Sequence, residues 1–176
     1  RHMTTPPRIT RSTTPPAAGM VHLGPGAFFR AFIAPYTDEA MGAGSANGED
    51  WGIIAVSLKS PTAREALVPQ GCLYTALERG PDGDTSRQVE AITDVLVAPE
   101  DPLAVLDTMA RPEIRVVSLT ITEKGYCHNP RNGSLRTDHP DVAHDITTSD
   151  APRTALGFLV LALSRRREAG IPPFTV

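Results

Sequence analysis

Continuous apolar runs alternate along the chain with stretches whose apolar residues recur every three or four positions. That is the pattern of parallel strands covered by helices. The first run, Met20 to Leu23, is a short strand ended by Gly24-Pro25-Gly26. A helix is expected from about Ala31 to Met41, stopped by Gly42 and Gly44, with Pro35 tolerated only within its first turn. "WGIIAVSL", residues 51 to 58, is the unbroken apolar run of a strand covered on both faces. "CLYTALER" and "SRQVEAITDVLV" flank Pro81-Asp82-Gly83-Asp84 and read as the two arms of a hairpin. Behind Asp101, a helix over about Pro102 to Met109 leads into "RVVSLTIT", 115 to 122, the most strand-like segment of all.

The last helix has the clearest signals. Ser149 and Asp150 offer an N-cap, Pro152 suits the first turn, and Leu156, Leu159, Val160 and Leu163 form one apolar stripe. Arg165 to Arg167 fall where the helix dipole favours cations, so this basic run reads as a solvated helix end, and Gly170 and Pro172 stop the helix. "PFTV", 173 to 176, opens a further apolar strand, from which a longer parent protein is expected. At the other end, Arg1-His2-Met3 reads as a vector-derived remnant, and residues 4 to 17 are Thr/Pro-rich with little to bury. The expected organisation is a flexible or extended arm over residues 1–18 and one domain over 19–176.

Composition narrows the function classes. With 176 residues, 40% of them hydrophobic and 21% charged, the chain has the makings of one ordinary globular core. A net charge of −3 opposes nonspecific nucleic-acid binding. No apolar run approaches the roughly 20 residues that span a bilayer, and no signal-peptide layout opens the chain, so no membrane partner and a cytoplasmic location are expected. Cys72 and Cys127 make neither a disulfide scaffold nor a zinc spacing.

Candidate chemistry begins at the glycine turn. A strand, a glycine turn and a helix present backbone N–H groups and a helix N-terminus to a pyrophosphate. Gly24 permits the tight turn and Gly26 lets backbone approach phosphate, but the third glycine of the dinucleotide fingerprint falls at Phe29. On these residues alone, a cofactor turn and a plain βα turn stand equal. An NAD site carries an acid near the end of its second strand to bond the ribose 2′-hydroxyl. Here that strand ends in Leu58-Lys59-Ser60-Pro61, with Arg64 nearby and the first acid at Glu65. Lys59, Ser60 and Arg64 suit a 2′-phosphate, and equally suit a solvated loop. In "TITEKGYCHN", 120 to 129, Thr122 offers a hydroxyl, Glu123 a base or acceptor, and Gly125 a sharp turn; an exposed Glu–Lys loop is the plainer alternative. "DHPDVAHD", 138 to 145, reads as an acidic surface loop, since Pro140 would interrupt any helix aligning His139 with His144 on a metal.

Taken in order, "VHLGPGAFFRAF", "DWGIIAVSL", "LYTALE", "VVSLTITEKGYC", "HPDVAHD" and "PRTALGFLVLALSRRREAGIPPFTV" resemble the long-chain polyol dehydrogenases, the mannitol 2-dehydrogenase and fructuronate reductase group. The resemblance runs from about Gly19 to Val176. "SLTITEKGYC", with "MARP" at 109 to 112, is most similar to the hexuronate reductases. It implies an α/β fold: a Rossmann-like NAD(P)-binding domain with a mostly parallel sheet and an added β-hairpin. It also implies a metal-free oxidoreductase that uses NAD, with NADP possible, to interconvert a ketose or keto-hexuronate and its polyol or aldonate. By resemblance, Gly24, Gly26, Ala27 and Phe28 line the pyrophosphate, and Thr122 and Glu123 lie near the nicotinamide. The family's catalytic lysine and most substrate contacts belong to a C-terminal helical domain outside these residues, so the chain alone is expected to be inactive. The family reads Phe-His-Arg-Ala-His after the turn, where this chain has Phe28-Phe29-Arg30-Ala31-Phe32. The alternative is a non-catalytic module of the same fold that binds a nucleotide or a partner.

Overall fold

The computed structural model describes residues 8–43, 51–148 and 150–176. Four strands, β1 (Ala18–Leu23), β2 (Gly52–Ser57), β5 (Ile92–Val97) and β6 (Val116–Leu119), form one parallel sheet in the order β5-β2-β1-β6. Helix α1 (Ala34–Gly42) crosses from β1 to β2, and α3 (Pro102–Ala110) crosses from β5 to β6. Between β2 and β5 lie α2 (Thr62–Leu67) and an antiparallel hairpin of β3 (Tyr74–Gly80) and β4 (Gly83–Val89). Helices α4 (Pro140–Thr147) and α5 (Ala155–Glu168) follow β6. The expected α/β class, parallel sheet and added hairpin are all present.

Every residue of β2 is buried, because its alternating side chains feed two cores. Ile53 and Ala55 join Phe29, Ala34, Leu67 and Val95 on one face, while Ile54 and Val56 join Val21, Leu23, Leu106 and Phe158 on the other. The helix expected behind Asp101 is α3, and Asp101 caps it, its carboxylate accepting from the Ala104 N–H at 2.9 Å. "PFTV" begins a strand pairing as expected: Thr175 bridges to Val116 in parallel, and Phe174 is buried.

Several expectations are corrected. "SRQVEAITDVLV" is not one hairpin arm. Its polar first half is β4 and its apolar second half is β5, because the chain leaves the exposed hairpin at Glu90 and enters the parallel sheet. "RVVSLTIT" is a strand only over Val116–Leu119, and Thr120 onward turns out over the sheet end. Helix α5 is capped by Thr154, whose Oγ1 accepts from the Gly157 N–H at 2.9 Å, rather than by Asp150; Ser149 lies outside the described residues. Asp145 fixes that cap by accepting from the Thr154 hydroxyl at 2.6 Å and from the Arg153 and Thr154 N–H groups at 2.8 Å each. The buried face of α5 is accordingly Ala155, Phe158, Leu159, Ala162 and Arg166, and Val160 faces solvent.

Nor is the Arg run simply solvated. Arg166 is buried, donating to the Pro172, Arg111 and Met109 carbonyls at 2.7, 2.6 and 3.2 Å. "DHPDVAHD" is helix α4, not a loop. Pro140 starts that helix instead of breaking it, and the His139 Nδ1 accepts from the Asp141 N–H at 3.2 Å. The described part of the arm, residues 8–17, is extended but docked. Arg11 donates to the carbonyls of Gly71, Glu90 and Ile92 at 2.9, 2.8 and 3.0 Å.

The helical segment that leads into α1 begins before the expected Ala31. Helical turns start at Ala27, and Phe29–Ile33 widens into a π-helical turn that runs straight into α1. Pro35 explains the widening. A proline in an α-helix interior has no N–H to give and collides with the carbonyl four residues back. The Ala34 N–H instead reaches back five residues to the Phe29 carbonyl. The same spacing would pair the Arg30 carbonyl with Pro35, which has no proton to donate. The Tyr74 hydroxyl of β3 donates to that orphaned oxygen at 2.6 Å. Gly42 ends α1 as expected, while Gly44 lies outside the described residues.

Candidate functional site

Strand order makes β1 the switch point: the chain moves from β1 to β2 on one side and returns through α3 to β6 on the other. In open α/β sheets, ligands bind outside the strand carboxyl ends at that point. A cleft of about 680 Å³ opens there. Its walls come from the glycine turn after β1, from Ser57–Ser60 after β2, from Thr120–Thr122 after β6, and from the start of α5.

The turn is tied to both neighbouring strands. The Gly24 N–H donates to the Val56 carbonyl at 3.0 Å, and the Thr120 N–H donates to Leu23 at 3.2 Å. Gly24 sits at φ +94°, in the left-handed region, and a Cβ there would lie 3.2 Å from the Thr120 carbonyl oxygen. Glycine is therefore required on two grounds, backbone angle and space. Gly26 faces open space, its Cβ position 4.0 Å from the nearest atom, so a ligand's phosphate has room to reach the backbone.

Beneath the turn lies a residue that sequence reading passed over. His22, fully buried at the end of β1, has Nε2 2.8 Å from Thr120 Oγ1 and 3.2 Å from the Gly24 carbonyl oxygen. Its Nδ1 is 2.8 Å from Ser118 Oγ. Thr120 Oγ1 donates to the Gly24 oxygen at 2.9 Å, so the consistent proton placement has Nε2–H donating to Thr120 and Nδ1 accepting from Ser118. Burial holds the imidazole neutral, with its pKa lowered to about 4 despite the Gly24 carbonyl, which favours the charged form. The available signal was a single polar residue inside an otherwise apolar strand, directly before the turn.

Phe29 stacks on that imidazole, ring centroids 3.9 Å apart and planes 9° from parallel. Where the fingerprint uses a third glycine for close helix-to-strand packing, this chain therefore places two flat rings face to face. Phe32 does not enter the core. It is 46% exposed, lies 5.0 Å from the Phe28 ring, and lines a separate groove between the helix and the hairpin.

Of the residues singled out in the sequence, Gly24, Gly26, Lys59 and Thr122 meet on the cleft wall, with Arg30, Ser60, Thr62 and Lys124. Ala27 and Phe28 form the first helical positions beyond the turn but stand outside the wall, Phe28 being largely exposed. Glu123 is also outside the wall, its carboxylate pointing into solvent 3.8 Å from His128 Nε2. Arg64 is held by Glu100 through two hydrogen bonds of 2.5 and 3.0 Å. Cys127 lines the cleft, but burial pushes its thiol pKa up, away from the thiolate a nucleophile needs.

Known proteins match this chain in sequence and in fold. The family model of the mannitol dehydrogenase Rossmann domain matches residues 18–176. Mannitol 2-dehydrogenase of Pyrenophora tritici-repentis is 44% identical over 160 residues, covering 90% of this chain and 28% of that protein. A Pseudomonas fluorescens mannitol 2-dehydrogenase, solved as a ternary complex with NAD and D-mannitol, superposes with a TM-score of 0.85 at 43% identity, over 90% of this chain and 32% of that one. A D-sorbitol dehydrogenase in substrate-free form also gives 0.85, at 36% identity, over 94% of this chain and 38% of that one. The chain thus spans about a third of the length of the proteins it matches.

Proposed function

Since this chain belongs to the mannitol dehydrogenase family and corresponds to its Rossmann domain, we propose that it is the NAD(H)-binding part of an NAD-dependent polyol dehydrogenase. The observation that carries this reading is the Gly24 turn, set at the switch point and opening on the cleft. The residues present fit a dinucleotide. Gly26 leaves open space beside the turn, and the helix that follows offers the N–H groups that no helix can pair internally. Arg30, one helical turn beyond the glycines, brings positive charge to the same wall.

When bound, the nicotinamide supplies the hydride acceptor for oxidising a secondary alcohol to a ketone, or the donor in reverse. The chain's own residues bind and orient. The turn's own N–H groups at Gly24 and Gly26 are engaged by the Val56 and Gly24 carbonyls, so the turn supplies room and the first helical N–H groups, at Ala27 and Phe28, take the pyrophosphate, while Thr122 meets the nicotinamide end. The His22 network keeps the turn and the Thr120 segment in register. Proton transfer at the substrate oxygen belongs to residues outside this chain, so the chain binds cofactor without turning over sugar. Within the polyol and ketose class, the resemblance of Ser118–Cys127 to hexuronate reductases supports a sugar-acid substrate of the fructuronate type for the whole enzyme. The domain division at residue 18, with Arg11 docked on the body, is part of the same reading.

The test is a titration of the chain with NADH, followed by nicotinamide fluorescence and calorimetry. Saturable binding is expected, with competition by ADP-ribose and no turnover of mannitol, fructose or fructuronate. No binding of NADH at millimolar concentration, or measurable turnover by the chain alone, refutes the reading.

A further inference from the structure

The adenosine end of the cleft lacks the group that an NAD-selective site uses. Selectivity for NAD rests on a carboxylate beyond the second strand, which accepts from the ribose 2′-hydroxyl and repels a 2′-phosphate. Here β2 ends at Ser57, and the wall continues through Leu58, Lys59 and Ser60 to Thr62 at the start of α2. Lys59 and Ser60 are exposed, and Ser60 Oγ lies 3.2 Å from Thr62 Oγ1, so an ammonium and two hydroxyls share one corner.

The acids on neighbouring elements do not fill the missing role. Glu65 is exposed on α2 and absent from the wall, and Glu100 is already engaged by the Arg64 guanidinium. Among the described residues, the one carboxylate on the wall is Asp141, contributed by α4 rather than by the β2 end. Its carboxylate lies 3.7 Å from Arg153. Against it the same wall carries Arg30, Lys59, Lys124 and Arg153. A cleft with that balance of charge attracts the more anionic of two otherwise identical dinucleotides.

We propose that this domain accepts NADP(H) at least as well as NAD(H), with Lys59 pairing to the 2′-phosphate and the Ser60 and Thr62 hydroxyls donating to it. The inference rests on the dinucleotide-binding function proposed above and extends it to the identity of the cofactor. Lys59 acts as a point charge on a flexible stem, so its contribution is attraction more than geometry. A ribose without the phosphate finds only hydroxyl partners at the same corner and gains nothing from the ammonium.

Parallel titrations with NADH and NADPH test this directly, with AMP and adenosine 2′,5′-bisphosphate isolating the adenosine end. The expected result is a Kd for NADPH no higher than that for NADH, and tighter binding of the bisphosphate than of AMP. Lys59→Ala should raise the NADPH Kd about tenfold and leave the NADH Kd within about twofold, as loss of one charge-assisted contact implies. Ser60→Asp, which restores the carboxylate, should reverse the preference. Saturable NADH binding with weaker NADPH binding overturns the inference and leaves the function standing. Equal losses for both cofactors in Lys59→Ala also overturn it, since the lysine then serves the shared part of the molecule. If neither dinucleotide binds, both this inference and the function it rests on fail together.

Discussion

Acid should destabilise this chain through a single buried imidazole. His22 is fully enclosed by β1, Phe29, Ser118, Thr120 and the Gly24 carbonyl, and its pKa is lowered from 6.5 to about 4. In the unfolded chain the ring takes up a proton once the pH falls below 6.5, whereas the folded chain refuses it until about 4. The unfolded state therefore binds more protons across that window, and stability falls as the pH falls. The gap of about 2.5 pH units, at about 1.4 kcal/mol per unit, amounts to about 3 kcal/mol. That is a large share of the roughly 5–15 kcal/mol by which domains are stable. The full contribution is present above pH 6.5, is lost progressively down to pH 4, and changes no further below that. The assay is urea denaturation followed by circular dichroism at half-unit steps from pH 7.5 to 4, on the native sequence and on His22→Gln. The variant starts less stable, but its curve should lack the 3 kcal/mol of extra slope, because the remaining histidines and the carboxylates are common to both proteins. Equal slopes would refute the assignment of a neutral, buried His22.

Three further outcomes follow from particular contacts. Tyr74→Phe removes the donor to the orphaned Arg30 carbonyl and should lower unfolding free energy by about 1–2 kcal/mol, read from urea midpoints at constant slope. Arg166→Lys should cost about 3 kcal/mol in the same assay, because one ammonium cannot reproduce the forked contacts to three carbonyls; rescue by lysine would contradict this. Gly24→Ala places a Cβ against the Thr120 carbonyl at positive φ and should weaken NADH binding at least tenfold, with a loss of stability of about 1–2 kcal/mol. Unchanged NADH affinity in a folded Gly24→Ala chain would remove the turn from the cofactor site.

Local signals that suffice by themselves were readable in the sequence. The six buried residues of β2 need no context beyond their own composition, and the start of α3 is marked by an aspartate directly before a proline that suits a first helical turn. Signals that depend on distant chain were not. Thr154 outcompetes Asp150 as a cap because Asp145, nine positions away, grips it. Arg166 is buried because the carbonyls at Met109, Arg111 and Pro172 converge on it, whereas its neighbours in the Arg run take other positions. Of the cleft wall, the glycine turn and Lys59 were legible, since backbone conformation and strand ends leave marks in sequence. The role of His22 was not, because it depends on Ser118 of β6 and Thr120 just beyond it, about a hundred residues later. Glu123 shows the converse: a chemically apt residue whose strand ends too early to point it into the cleft.

The exchange between Pro35 and Tyr74 makes two positions behave as one inherited character. A lineage that replaced Pro35 would regain a backbone donor for the Arg30 carbonyl and release the tyrosine hydroxyl from its duty. One that lost the hydroxyl first would carry an unpaired oxygen under the helix until the proline went too. The order of change is therefore constrained, proline before tyrosine. The hairpin that carries Tyr74 is held in the fold partly by a carbonyl that a proline left without its backbone donor.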